Sequence, residues 1–145
     1  MKKFFTLLLA AALPAFAQVT VSQPWVRATV PQQHATGAFM TLTSSGGGRL
    51  VGASSPLAGA VEVHEMKMVD DIMRMRQIDG LPLPAGQEVT LMPGGYHLML
   101  LELKQVMQDG DKVPLTLELE DANHVRSSIT VEAPVRPLNA AAGHH

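Results

Sequence analysis

No cysteine occurs among the 145 residues. That excludes disulfides, thiolate nucleophiles and thiolate metal sites together. Small domains in oxidising compartments often depend on disulfides, but a chain of this length can bury a single core without them. Clustered positive charge is missing too: 11 Lys and Arg are dispersed among 13 Asp and Glu, which excludes nucleic acid as a partner. Aromatic residues make up 4%, and the single tryptophan, Trp25, is expected to anchor the core. No segment carries a sustained helical period with caps.

Long apolar runs are nearly absent. The one present, Phe4 to Leu13, is too short to span a bilayer. It lies between Lys2-Lys3 and Ala15-Phe16-Ala17, the basic start and small-residue cleavage site of a secretory signal. Residues 1–17 are read as a signal peptide, with the mature chain starting at Gln18 outside the cytoplasm and no stable membrane insertion. Without Lys2 and Lys3 the formal net charge moves from -2 to -4.

What remains reads as short strands between turns. Val19 to Ser22 and Trp25 to Val30 are expected as separate strands around Pro24, followed by a polar loop with a solvated His34. Gly37 to Thr43 is the next strand, and Arg49 to Ala53 is expected to pair back onto it across Ser44-Ser45-Gly46-Gly47-Gly48. The prolines of Gly80 to Gly86 exclude a central strand there. Glu88 to Met92, Gly94 to Leu103, Val113 to Glu120 and Val125 to Val131 complete the set, with His124 in a turn. From Ala133 onward the prolines and alanines read as a tail. The terminal His144-His145 is either a weak divalent-metal site or the remnant of a purification tag. The expected fold class is all-β, a two-sheet sandwich or closed barrel.

Two of these strands carry unusual side chains. Residues two apart on a strand share a face, so His97 and Met99 project together, as do His64 and Met66. A hairpin centred on Asp70-Asp71 would set Met66 opposite Met75 and His64 opposite Gln77, gathering His64, Met66, Met68, Met73 and Met75 on one face. Met40, Met73, Met92 and Met107 are expected to fill core gaps. Taken singly, a strand histidine is ordinarily structural; the recurrence of His-x-Met on strands facing one space is what points to a metal site. Neutral imidazoles and soft thioethers disfavour calcium, magnesium and manganese and favour Cu(I). They also need no deprotonation of sulfur, although thioethers can be oxidised.

Ten residues separate His64 from Met75, twenty-one separate Met75 from His97, and Met99 completes a His-x-Met pair. In this spacing, and in Trp25 to Thr29 and Met73 to Arg76, the chain resembles the periplasmic copper chaperone PCu(A)C family over roughly the whole mature domain. The resemblance implies a cupredoxin-like Greek-key β-barrel at residues 18–135, a disordered tail at 136–145, and one Cu(I) held by His64, Met75, His97 and Met99. It implies a non-enzymatic, monomeric periplasmic protein that passes copper by ligand exchange towards the CuA centre of cytochrome c oxidase subunit II, alongside Sco-type proteins. Met66 shares the face but falls outside the family spacing. Copper or silver sequestration for tolerance is the nearest competing reading, followed by a metal-free β-sandwich binding module. A blue-copper electron carrier would need a cysteine, and a monooxygenase using an N-terminal histidine would need His where Gln18 stands.

Overall fold

The computed structural model describes residues 18–137, so the expected signal peptide and the terminal histidine pair lie outside the described residues. Within them the chain forms ten strands and no helix: β1 (Val19–Arg27), β2 (Thr36–Ser44), β3 (Arg49–Ser54), β4 (Ala58–Val69), β5 (Ile72–Gln77), β6 (Leu81–Pro82), β7 (Glu88–Leu91), β8 (His97–Leu103), β9 (Lys112–Glu120) and β10 (Arg126–Arg136). Seven of them close a barrel in the order β4-β8-β2-β1-β10-β9-β3, and the Ala53–Val61 pairing returns β3 to β4. Strands β5, β6 and β7 attach to β4, β3 and β2. This is the expected all-β, cupredoxin-like barrel.

Alternation builds it. On β9 Val113, Leu115, Leu117 and Leu119 point inward, and Ala38, Met40 and Leu42 of β2 and Leu98 and Leu100 of β8 meet them in one interior cluster. Each large aliphatic side chain so buried stabilises the barrel by about 1.5–3 kcal/mol. The intervening residues of β8, His97 and Met99, consequently face away from the interior. Closure of the barrel thus presents both of them on its outer wall.

Three expectations are corrected. Val19 to Ser22 and Trp25 onward form one strand: Gln23, at φ 51°, makes a bulge that absorbs Pro24, and pairing with β2 resumes at Trp25–Phe39. Strand β3 does not pair with β2, whose neighbours are β1, β7 and β8; it crosses to β9 instead. The glycines of the preceding loop allow the crossing, since Gly48 sits at φ +126° and a β-carbon there would collide with the Glu120 carbonyl. The chain from Ala133 is not yet tail: Ala133 and Val135 are buried, and β10 runs to Arg136, paired in parallel with β1 through Val26–Val135 and Arg27–Arg136. Trp25 is buried as expected but stands outside the interior cluster, on the outer wall, where its ring packs 4.7 Å from Phe39.

Candidate metal centre

Strand β4 is longer than the barrel needs. It pairs with β8 as far as His64–His97, and beyond that point only β5 accompanies it. The projecting hairpin has the expected register, His64–Gln77, Met66–Met75 and Met68–Met73, closed by Asp70 and Asp71 at φ 51° and 64°. Two positive φ values in a two-residue loop make a type I′ turn, whose twist matches that of the strands, and Asp tolerates this conformation. The hairpin therefore carries its methionines on the same outer face as the two histidines.

His64 and His97 are cross-strand neighbours with ring centroids 5.6 Å apart. Each imidazole has one nitrogen committed. His97 Nδ1 donates to the Gly95 carbonyl at 3.1 Å, so its Nε2 carries the lone pair; His64 Nε2 donates to the Glu62 carboxylate at 2.8 Å, so its Nδ1 carries the lone pair. Both lone-pair nitrogens are buried and have no hydrogen-bond partner. A buried polar atom left this way costs about 1–3 kcal/mol, and here two such atoms occur on adjacent rings. An acceptor for their lone pairs, a metal ion, would remove both costs.

The thioethers supply the rest of the donor set. Met66, Met75, His97 and Met99 line one hollow of about 220 Å³, with Arg27, Gly37, Phe39, Pro93 and Gly94. Met99 lies on the wall because its neighbours there are Glu62 and Gly37. Gly37 leaves room for the Phe39 ring, which a β-carbon would meet at 2.7 Å, and that ring packs 6.3 Å from His97 over Trp25. His97 is consequently only 4% exposed, whereas Met75 across the hollow is 47% exposed. Among the described residues no group of three or more His, Cys, Asp or Glu side chains is placed to hold a metal ion. Two imidazoles and thioethers fit a soft ion.

Burial of His97 lowers its pKa below 6.5, reinforced by the nearby His64 and Arg27, although the Gly95 hydrogen bond opposes the shift. Lowering the pKa keeps Nε2 of this ring free of a proton at neutral pH.

Of the four expected site residues, Met75, His97 and Met99 line this hollow, while His64 is not among its lining residues and stands beside it as the cross-strand neighbour of His97. The sequence reading missed the groups that orient them: Glu62 and the Gly95 carbonyl fix the tautomers, and Phe39 and Trp25 support the His97 ring. Glu62 stood two residues before His64 and so on its face, a signal open to the period-2 rule. Met73 and Met92 are corrected, being 46% and 44% exposed and not core fillers; Met40 and Met107 are buried as expected.

Residues 19–135 match the family model described as "Putative lipoprotein LpqE-like". "Putative lipoprotein Lxx21020" of Leifsonia xyli is 33% identical over 141 residues, covering 91% of this chain and 82% of the relative. Among solved structures, Cu(I)-DR1885 from Deinococcus radiodurans is 31% identical with TM-score 0.61, covering 91% of this chain and 87% of that one. The copper-bound PCuAC domain from PmoF2 is 24% identical with TM-score 0.68 over 84% of this chain and 96% of that domain, a likeness of fold.

Removal of the Glu62 carboxylate is expected to loosen His64 and weaken Cu(I) about 10–100-fold, as outer-shell partners of metal-bound histidines commonly do. A competition titration of Glu62→Gln against a coloured Cu(I) chelator checks this; unchanged affinity would make the Glu62 contact incidental. Affinity in the unsubstituted protein should be level above pH 6.5 and fall as the pH drops through the lowered His97 value. The same titration repeated from neutral to acid pH would contradict histidine ligation if the affinity stayed flat.

Proposed function

The chain belongs to the LpqE-like family, whose solved relatives are PCuAC domains, and from that premise we propose that it is a copper chaperone of the periplasm. It holds one Cu(I) through His64, Met75, His97 and Met99. The observation that carries this reading is the pair of buried imidazole nitrogens without partners, on adjacent rings beside a hollow walled by thioethers. The Cu(I) form of DR1885, a relative above 30% identity, supports the oxidation state. Family names of lipoprotein type support export, although these 145 residues contain no cysteine to which a lipid could be attached.

The geometry suits delivery. Four neutral donors leave the site with the charge of the ion, and thioethers grip less firmly than thiolates. Met75 is open to solvent and belongs to the projecting hairpin, while His97 is enclosed. Exchange therefore starts at Met75: an acceptor's thiolate or imidazole takes that position, and His97 and Met99 release last. Acceptors of this chemistry are the CuA centre of cytochrome c oxidase subunit II and Sco-type thiol proteins. Nothing in this sequence of ligand exchanges requires the protein to change a covalent bond, so it acts as a carrier and not as an enzyme.

The test is transfer. Cu(I)-loaded protein is mixed anaerobically with the metal-free soluble CuA domain and the two are separated and assayed for copper. Copper should pass to the acceptor, and His97→Ala should fail to load at the first step. Copper retained against a large excess of acceptor would replace delivery with sequestration for tolerance.

A further inference from the structure

The outer half of the hairpin has no part in the site described above. Its face towards that site carries four methionines, Met66 and Met75 in the inner pair and Met68 and Met73 in the outer. In an antiparallel ribbon, pairs alternate between hydrogen-bonded and non-hydrogen-bonded, and side chains approach most closely in the latter. Ile78 N donates to the Val63 carbonyl at 2.9 Å, which marks that position as hydrogen-bonded. Counting outward, Glu65–Arg76, Lys67–Arg74 and Val69–Ile72 share its type. Met66–Met75 and Met68–Met73 both fall on the close pairs, where β-carbons stand about 4.5–5.5 Å apart. The outer pair is 58% and 46% exposed and flanks the turn, two residues along the chain from Asp70 and Asp71 respectively.

A solvent-facing pair of methionines contributes nothing to the core. An exposed ribbon edge is normally given charged or β-branched side chains, as the opposite face of this hairpin is, with Glu65, Lys67, Arg74 and Arg76. Two thioethers held at close-pair spacing have the donor chemistry that suits a soft monovalent cation.

We propose that Met68 and Met73 form a second soft-metal site, for Cu(I), at the tip of the hairpin. It goes beyond the one-ion reading and is weaker than the inner site, because it lacks imidazoles and stands in water. Two residues along a strand span about 7 Å, so the tip site lies one such step from the Met66–Met75 pair that borders the hollow. An ion captured at the tip has a path of thioethers to the histidines.

The experiment is a titration with silver nitrate, a soft monovalent probe that does not change oxidation state, on protein labelled at the methionine methyl groups with carbon-13 and followed by NMR. Residue-resolved signals keep any binding by His144 and His145 separate. The Met75 and Met99 methyls should move during the first equivalent. Those of Met68 and Met73 should then move together during the second, and Met68→Leu, a volume-conserving exchange at an exposed position, should abolish the response of Met73. Met68 and Met73 signals that stay in place through two equivalents would overturn the proposal, as would an unchanged Met73 response in Met68→Leu. In His97→Ala, loss of the Met75 and Met99 response with the tip response retained would support the tip site as an independent one. If Met75 and Met99 never respond in the unsubstituted protein while the tip does, the inner site fails and the tip site stands.

Discussion

The candidate site depends on the juxtaposition of two imidazoles across β4 and β8. His64 and His97 face each other because both strands turn their aliphatic residues, Val63 on one and Leu98 and Leu100 on the other, into the barrel. Burying those side chains is what forces the histidines onto the outer wall. Glu62 and the Gly95 carbonyl then occupy the one nitrogen of each ring that faces protein, and the two free lone pairs are left in an enclosed space. Folding energy from the interior thus holds in place two buried imidazole nitrogens that have no partner within the protein.

The surroundings divide into a rigid and an accessible side. Phe39, backed by Trp25 and admitted by the absence of a side chain at Gly37, closes over His97 from β2. The guanidinium carbons of Arg27 and Arg136 lie 5.5 Å from the Phe39 and Trp25 ring centres, covering the aromatic pair from outside. On the other side, β5 pairs with β4 alone among the described strands, and this hairpin supplies Met66 and Met75. A carrier needs both properties: preorganised ligands that reduce the cost of binding, and at least one ligand that a partner can displace.

The register of the hairpin that carries the candidate site was more legible in the sequence than the path of the chain. The hairpin could be placed residue by residue, because an Asp-Asp turn between period-2 runs fixes the register locally. Met66, Met75, His64 and Gln77 follow from it without knowledge of the rest of the fold. The partner of β3 could not be placed, since choice between β2 and β9 depends on which edges are already occupied elsewhere in the barrel. The bulge at Gln23 and the buried end of β10 were hidden for a related reason: Pro24 and Pro134 signal interruption locally, and pairing with distant strands overrides them, β2 on either side of the bulge and β9 and β1 along the end of β10. Exposure of Met73 and Met92 was misjudged because methionine carries no sign of which face of a ribbon will be covered.

The most direct measurement is of the imidazole nitrogens themselves. Cu(I) is diamagnetic, so nitrogen-15 NMR of the histidine side chains can be recorded with one equivalent bound. The expected result is that His97 Nε2 and His64 Nδ1 lose their free lone-pair signals, while His97 Nδ1 and His64 Nε2 remain protonated and bonded to Gly95 and Glu62. Copper on the opposite nitrogen of either ring, or on neither ring, would contradict the assignment of these two atoms as the core of the site.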